Sequence, residues 1–151
     1  MEKSRLSRLP RPGVYSSSDL RIEEIIPVLP EIYEGGEIGA VALYIGVTRA
    51  QSRDGREVEM LEIEAYEENA NLEIDRICRE VKEKHGVAYV GIWHLQGRFK
   101  PGEPLVLVVA AGGHREQVIK ALHEAIERYK KEPALFKKEV YVDGMHLWIS
   151  E

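Results

Sequence analysis

Residues 103–113, EPLVLVVAAGG, decide the fold, because the run from Leu105 to Ala110 is apolar throughout and leaves no polar face for solvent. Such a run is typical of a strand at the centre of a sheet. The segment before it, VAYVGIWHLQGRF at 87–99, is a second strand candidate, and the short KPG turn at 100–102 joins the two. These segments predict two consecutive strands of a largely antiparallel sheet.

Two longer segments carry the periodicity of amphipathic helices. ANLEIDRICREVKEKHG at 70–86 repeats apolar side chains at intervals of three or four, and HREQVIKALHEAIERYKK at 114–131 does the same. We therefore predict a helix over about 67–84 and a second one over 114–131, each with one apolar face. The single cysteine, Cys78, falls on the apolar face of the first helix, where we expect it to be buried and structural.

The stretch GAVALYIGVTRAQSRDGREVEMLEIEAY at 39–66 holds two further strand candidates. Alternating side chains at 41–47 predict a half-buried strand, and residues 61–65 alternate in the same way. The polar loop between them contains the turn signal Asp54-Gly55. We therefore predict that these two strands form an antiparallel hairpin.

The remaining elements are shorter. SSDLRIEEIIPVLPEIYEGG at 17–36 has helix start and stop signals, but two prolines interrupt it, so we predict a short, broken helix. Near the other end, KKEVYV at 137–142 and MHLWIS at 145–150 predict two short strands separated by an Asp143-Gly144 turn.

Together these elements predict a single α+β domain, with a largely antiparallel sheet and two long helices packed on it. Residues 1–16 are basic and contain two prolines, so we predict an N-terminal arm that is poorly ordered or forms an edge strand, followed by the domain at 17–151. Trp93 and Trp148 stand in apolar strand segments and are expected to serve packing.

Composition excludes several classes of protein. A chain of 151 residues with 44% hydrophobic residues fits one globular core, and a net charge of −5 argues against a duplex nucleic-acid binder. No run of about 18 apolar residues exists, so we expect no membrane span. The polar N-terminus lacks the apolar middle of a secretory signal. We expect a cytoplasmic protein without a membrane or nucleic-acid partner.

The motif AAGGHREQ at 110–117 places two glycines at the end of an apolar strand and His114-Arg115 at the start of the next helix. A helix N-terminus has unpaired N–H groups and partial positive charge, and glycines let an anion approach the backbone. The motif therefore fits a clamp for phosphate or carboxylate. A surface helix start with a solvated arginine explains the same residues equally well.

Other basic residues stand where loops and elements meet. Arg49 follows a strand directly, a common place for binding side chains, although a solvated loop residue is the alternative. Lys130 and Lys131 end the second long helix, where they can interact with its last carbonyls. Lys137 and Lys138 occupy adjacent strand positions, so only one of them can face a given pocket. Crowded lysines lower one another's pKa, which suits an acid, a base or a nucleophile.

Metal and serine chemistry find no support in the sequence. The histidines other than His114 lack the spacing of a metal cluster, and no serine stands in a nucleophile elbow. We therefore predict no metal and no cofactor. The histidines concerned are His85, His94, His123 and His146.

Four segments, in order, give the chain a family resemblance. They are GAVALYIGVTR at 39–49, LEIEAYEENAN at 61–71, HLQGRFKPGEPLVLVVAAGGHR at 94–115 and YKKEPALFKKEVYVDGMHLW at 129–148. The chain resembles the large, catalytic subunits of molybdopterin synthase, the MoaE-type family, over roughly residues 17–150. Because four segments match in order and approximate spacing, the resemblance is specific.

The resemblance implies a sulfurtransferase that converts cyclic pyranopterin monophosphate into molybdopterin, in the synthesis of the molybdenum cofactor. It implies that the sulfur comes from the C-terminal Gly-Gly thiocarboxylate of a small ubiquitin-like subunit. It also implies a homodimer that carries two small subunits, in a 2:2 heterotetramer. By motif match, the anion-binding residues are Arg49, His114 and Arg115, and the active-site lysines are Lys137 and Lys130, with Lys131 as the alternative to Lys130.

Two other hypotheses account for the same cationic residues. A non-catalytic module would hold a partner's C-terminal tail, or a phosphorylated small molecule, without turning it over. An unrelated nucleotide-binding α+β domain would bind its ligand at the helix start after Gly112-Gly113, but the sequence has no adenine-recognition signature. Formation of molybdopterin by the purified chain with a thiocarboxylated small subunit would separate the first hypothesis from catalysis.

Overall fold

The computed structural model describes residues 7–149. Residues 1–6 of the predicted arm and residues 150–151 of the predicted domain lie outside the described range. Within it, the chain forms two long helices, two one-turn helices and a sheet of seven strands.

The strands are β1 Gly13–Ser16, β2 Ala40–Val47, β3 Val58–Ala65, β4 Tyr89–Phe99, β5 Pro104–Gly112, β6 Leu135–Tyr141 and β7 His146–Ile149. The long helices are α3 Glu67–His85 and α4 Arg115–Tyr129. The predicted broken helix is confirmed as α1 Ile22–Ile25, a 3-10 turn Ile26–Val28 and α2 Pro30–Tyr33.

The sheet runs in the order β2-β5-β4-β3-β6-β7, and β1 pairs separately with β4. Every pair is antiparallel except β1 with β4. β5 lies between β2 and β4, and its residues Leu105–Ala111 are at most 5% exposed. The predictions of a largely antiparallel α+β sheet, of two long helices and of a central β5 are therefore confirmed.

The predicted hairpin of β2 and β3 is wrong. β2 pairs with β5, from Ala40↔Gly112 to Val47↔Pro104, whereas β3 pairs with β4 and β6. The loop of residues 48–57 is long enough to cross between separate positions in the sheet, and β5 offers β2 an apolar strand of matching length. Between the loop's own ends, the structure has one isolated bridge, Gln51↔Glu57.

The face of β2 that carries its branched aliphatic side chains is exposed. The opposite face, with Ala40, Ala42 and Tyr44, packs against the core instead. Among the described strands β2 has one neighbour, β5, so it is an edge strand. The exposed fractions are 36% for Val41, 42% for Leu43, 37% for Ile45 and 48% for Val47.

The long helices bury their apolar stripes as predicted. Ala70, Ile74, Ile77 and Val81 of α3 are fully buried. α3 ends at Gly86, whose φ of +64° is the left-handed conformation that favours glycine at a helix C-terminus. Cys78 is partly buried rather than fully buried as predicted, and it packs against the core. Desolvation, with a smaller contribution from Asp75, raises the pKa of its thiol to about 12, so Cys78 is an unreactive packing residue.

The two tryptophans differ in burial. Trp93 is fully buried, as expected, and its Nε1 donates to the carbonyl of Pro10 at 2.9 Å. Trp148 is 53% exposed because it lies in β7, the last strand of the sheet order, so the prediction of a packing role is wrong for it. An apolar strand context does not distinguish a central strand from an edge strand.

The segment just before Ser17 is attached to the sheet. β1 runs parallel to β4 in the register Gly13↔Trp93 to Ser16↔Gln96, and the Val14 amide donates to Asn71 Oδ1 of α3 at 2.8 Å. This part of the predicted arm takes the edge-strand form rather than the disordered one. It contributes Val14 to the core.

Candidate active site

Two cavities meet beside the end of α4. The larger has a volume of about 580 Å³ and the smaller of about 460 Å³. We call the two together the cleft. The residues that line both are Tyr129, Lys130, Lys137, Trp148 and Ile149.

The turn after α4 carries Lys130 into the cleft. Lys130 is the C-terminal cap residue of α4, so it also stands where the capping alternative places it. Lys131 is exposed and lines the smaller cavity, whereas Lys130 lines both. Two hydrogen bonds tie Ala134, at the end of the turn, to the start of α3: its amide donates to Asn69 Oδ1 at 3.0 Å, and its carbonyl accepts from the Tyr66 amide at 3.1 Å.

An ion-pair network fixes the same turn from the other side. Arg128 donates through Nε to Glu132 Oε2 at 2.7 Å and through Nη2 to Glu80 Oε1 of α3 at 2.8 Å. Arg76 of α3 donates to Glu132 Oε1 at 3.1 Å. The Arg128 hydrogen bond lowers the pKa of the Glu132 carboxyl, which therefore stays ionised in the network. The backbone around Lys130 is held by contacts on both long helices.

The alternation of β6 separates the second pair of lysines. Lys138 Nζ lies 3.3 Å from Glu62 Oε1 and 5.5 Å from the centroid of the Trp148 ring. Lys137 lines both cavities, and Lys138 lines neither. The expectation that only one of the two faces a pocket is confirmed, and the one that does is Lys137.

Arg49 lines the larger cavity from the loop that follows β2. Thr48 anchors the start of this loop, because its amide and its Oγ1 both donate to the carbonyl of Glu103 at 3.0 Å. The Arg49 guanidinium donates through Nε and Nη2 to the carbonyl of Gln51, at 3.2 and 3.1 Å. These contacts hold the guanidinium at the end of β2 while its side chain stays exposed.

The larger cavity contains two acidic groups as well as cations. Glu139 accepts a hydrogen bond from the Tyr141 hydroxyl at 2.7 Å, and Asp54 is hydrogen-bonded to Ser52. The Ser52 hydrogen bond lowers the pKa of Asp54. With four cations against two carboxylates, the lining carries a positive surplus that suits an anionic ligand. The cations are Arg49, Arg53, Lys130 and Lys137.

Sequence reasoning missed several lining residues. Arg53, Glu139 and Trp148 line the larger cavity, although none of them stands in a motif that singles it out. The strand alternation that places Lys137 in the cleft also places Glu139 there, two positions later, and this signal was available in the sequence. Arg53 depends on the path of the loop, which no local pattern predicts.

His114 and Arg115 lie at the opposite end of α4 from the cleft. His114 is the N-terminal cap and Lys130 the C-terminal cap, so 16 residues separate them, or about 24 Å along the axis. Both are exposed, and neither lines the cleft. Within one chain, the structure therefore brings Arg49, Lys130 and Lys137 to one site and leaves His114 and Arg115 away from it.

His94 lies under the smaller cavity. It is fully buried, lines the cavity wall and packs edge-on against Tyr129, with ring centroids 5.5 Å apart. Desolvation, and second to it the positive charge of Lys137, lower the pKa of His94 to about 3. The ring is therefore neutral beside the two cleft lysines.

Residues 7–149 contain neither a cluster of metal ligands nor a membrane-spanning helix. No group of three histidine, cysteine, aspartate or glutamate side chains in this range is placed to hold a metal ion. No helix in the same range is long and apolar enough to cross a membrane.

Comparison with known proteins identifies the family. The family model of the MoaE protein matches residues 16–132. The molybdopterin synthase catalytic subunit of Dictyostelium discoideum is 37% identical over 108 residues, which cover 70% of this chain and 68% of that protein. The molybdopterin synthase catalytic subunit of Pyrococcus abyssi is 32% identical over 149 residues, or 99% of this chain and 93% of that protein, so this match includes β6 and Lys137.

Solved structures have the same fold. Molybdopterin synthase from Staphylococcus aureus superposes with a TM-score of 0.79 at 26% identity, covering 94% of this chain and 98% of that one. A chain from the complex of subunits 1 and 2 of the molybdopterin-converting factor from Helicobacter pylori superposes with a TM-score of 0.73 at 16% identity, covering 93% and 90%. The resemblance drawn from the four sequence segments is confirmed: the chain belongs to the MoaE family, that of the molybdopterin synthase catalytic subunits.

Proposed function

We propose that the chain transfers sulfur to cyclic pyranopterin monophosphate, forming the dithiolene of molybdopterin, and that the cleft is where it does so. The observation that carries the proposal is the meeting of Lys130, Lys137 and Arg49 around two connected cavities of about 580 and 460 Å³. Family membership supports the reaction type. The positive surplus of the larger cavity matches a phosphorylated substrate and an anionic chain end.

Lys137 is proposed as the reacting lysine and Lys130 as its support. Both stand where the two cavities join, so each can contact a ligand in either. Neighbouring cations lower the pKa of a lysine. A lysine with a lowered pKa can act as an acid or a base, or as an amine that engages the carbonyl of the tail. Arg49 stays charged and suits a fixed hold on phosphate.

We propose that the sulfur donor is the Gly-Gly thiocarboxylate tail of a small ubiquitin-like subunit, which enters the cleft from the β7 side. The Helicobacter pylori complex joins two subunits of its converting factor, and this supports a two-subunit arrangement here. Large apolar side chains with exposed fractions of 45% to 60% lie on β6, on β7 and in the turn between them, and they suit contact with a globular partner. They are Phe136, Val142, Met145, Leu147 and Trp148.

We further propose that two copies of the chain meet through β2. Its exposed face carries four large apolar side chains in a row, and an edge strand is a common place for association. A twofold axis across the strand would set the two β2 strands antiparallel. The proposed assembly is then a central homodimer with one small subunit at each end, in a 2:2 heterotetramer.

This arrangement gives His114 and Arg115 a role in the proposed site. The start of β2 lies against the start of α4: the Gly39 amide donates to the Gly112 carbonyl at 2.9 Å, and a Cβ on Gly39 would clash with the Gly113 oxygen. The other end of β2 leads to Arg49. Antiparallel strands about 23 Å long would bring His114 and Arg115 of a second copy toward the Arg49 end of the first. We therefore propose that these residues bind anionic groups across the dimer.

Reconstitution tests the proposed function. The purified chain is mixed with a thiocarboxylated small subunit and cyclic pyranopterin monophosphate, and molybdopterin is measured. Formation of molybdopterin that depends on the thiocarboxylate is the expected result. Tight binding of tail and pterin without product would instead establish a non-catalytic binding module.

We also propose that the chain works in the cytoplasm. Its one cysteine, Cys78, is a free thiol in a strongly desolvated position, which fits a reducing compartment. Fractionation of cells that express a tagged chain is the measurement, and recovery outside the cytoplasmic fraction would contradict the proposal.

A further inference from the structure

His94 is a buried polar residue to which the proposed reaction assigns no role so far. Its Nδ1 lies 2.9 Å from the carbonyl oxygen of Leu95. Because a carbonyl can only accept, Nδ1 carries the proton, and Nε2 presents a lone pair. Nε2 is buried and, among the described residues, has no hydrogen-bond partner.

An unsatisfied buried acceptor costs free energy, so its presence beside the cleft calls for a donor that reaches it. His94 lines the smaller cavity together with Lys130 and Lys137. The neutral ring can accept at Nε2 but cannot donate there. The partner must therefore be an N–H or O–H group that enters the space between His94 and the lysines.

We propose that His94 is a positioning residue whose Nε2 accepts a hydrogen bond from the Lys137 ammonium group, which holds that amine at the junction of the two cavities. The inference rests on the proposed function, in which Lys137 is the reacting lysine. In the described conformation Nε2 has no donor, so the bond forms when the Lys137 side chain turns toward the ring. Lysine has a long flexible stem, and one fixed N–H removes much of that freedom.

The neutral state of His94 is what suits it to this task. An ionised imidazole would repel the lysine, whereas a neutral Nε2 stabilises the ammonium form and does not compete for its proton. Loss of the acceptor should therefore lower the pKa of Lys137. The other titratable and charged groups that face the cleft are Tyr44 from β2, Tyr129, Lys130 and Lys131 from α4 and its turn, Glu139 and Tyr141 from β6, and Arg49, Arg53 and Asp54 from the loop after β2.

Two amide substitutions separate the roles of the two ring nitrogens. A glutamine amide reaches about as far as Nε2, and an asparagine amide about as far as Nδ1. His94→Gln therefore keeps an acceptor toward the cavity, and His94→Asn keeps the donor to Leu95. A purely structural role through Leu95 predicts that the asparagine variant resembles the parent, and the proposed role predicts that the glutamine variant does.

The measurement is an NMR titration of Nζ in chain labelled with ¹⁵N-lysine, with the Lys137 signal assigned through Lys137→Arg. We expect His94→Asn to lower the pKa of Lys137 by about one unit, the scale of a hydrogen bond to a charged group, and His94→Gln to leave it near the parent value. Ile92→Ala is the matched control, since Ile92 is also fully buried in β4 but has a hydrocarbon side chain that can neither donate nor accept a hydrogen bond. This variant should destabilise the fold without changing the pKa of Lys137.

A second measurement leaves the core intact. The ¹⁵N resonance of His94 Nε2 should differ between the parent chain and Lys137→Met, because the methionine cannot donate. An unchanged Nε2 resonance, or equal Lys137 titrations in parent and His94→Asn, would overturn the inference. Neither measurement depends on turnover, whereas failure of the parent chain in reconstitution would overturn the proposed function alone.

Discussion

At the scale of single residues, the alternation of β6 decides which lysine faces the cleft. Lys137 lines both cavities, and Lys138 pairs with Glu62 on the other side of the strand. Adjacent residues of the same type therefore have separate surroundings, although the sequence presents them as one pair.

This difference predicts the outcome of two matched substitutions. Lys137→Ala should lower molybdopterin formation by roughly a hundredfold or more, the usual contribution of a group that takes part in proton transfer. Lys138→Ala should stay within a few-fold of the parent, because Lys138 lines neither cavity and its contacts are with Glu62 and the Trp148 ring. Product yield beside a thermal melt checks both. Near-normal turnover of Lys137→Ala with an intact melt would contradict the assignment.

The titration of His94 should make the free energy of unfolding depend on pH. Its pKa is about 3 in the fold, against about 6.5 in the unfolded chain, so the unfolded chain binds the extra proton between these values. Its contribution to stability is complete above pH 6.5 and is lost as the pH falls toward 3. Between pH 6.5 and 5 the loss should be roughly 2 kcal/mol.

Denaturant unfolding at several pH values measures this loss. The control is His94→Gln, which does not titrate and should lose the corresponding slope over the same interval. A parent chain and a glutamine variant with equal slopes would show that His94 does not carry the effect.

At the scale of elements, α3 and α4 share the ion-pair network that fixes the turn with Lys130. Arg128 is its centre, and its side chain is 18% exposed while it contacts Glu132 and Glu80. Partly buried charge-assisted hydrogen bonds are worth more than exposed ion pairs, so the network gives the turn a defined position.

Removal of Arg128 should therefore cost more than removal of an exposed arginine. Arg128→Ala is expected to destabilise the fold by roughly 1–3 kcal/mol, because it leaves the carboxylates of Glu80 and Glu132 without their main partner. Arg21→Ala is the control, since Arg21 is 67% exposed and lies 3.9 Å from Glu23, and it should change stability by less than about 0.5 kcal/mol. Equal effects of the two in chemical denaturation would argue against a structural network.

At the scale of the whole molecule, the apolar face of β2 predicts association. Leu43→Glu places a charge in the middle of that face, where it would be desolvated in the proposed homodimer. We expect the variant to be a folded monomer with little synthase activity. Light scattering measures the mass. A variant that stays dimeric would show that the dimer interface is not on β2. Glu64→Lys, at an exposed position on β3, is the control and should remain dimeric.

Complementation between two inactive variants tests whether the site draws on both copies. Lys137→Ala and Arg115→Ala chains are mixed and allowed to exchange. If Arg115 acts across the dimer, each mixed dimer regains one intact site, and turnover should return to about a quarter of the parent value when exchange is complete. If Arg115 acts within its own chain, or not at all, the turnover of the mixture should not exceed the average of the two separate variants.

The sequence by itself determined the α+β class, the two long helices, the central β5 and the family, because these depend on periodicity and on motifs within single segments. Its basic residues also gave the candidates for the site. Adjacent lysines on one strand must face opposite ways, so even the division between Lys137 and Lys138 was implicit in the chain.

Only the tertiary structure decided how these segments combine. Local patterns could not show that β2 pairs with β5 rather than β3, nor that the branched aliphatic side chains of β2 remain exposed. Nor could they show that the length of α4 separates His114 and Arg115 from Lys130, or that His94 keeps an unpaired Nε2 beside Lys137. Strand partners, edges and burial depend on contacts between residues distant in the chain, and hydrophobic periodicity contains no information about those contacts.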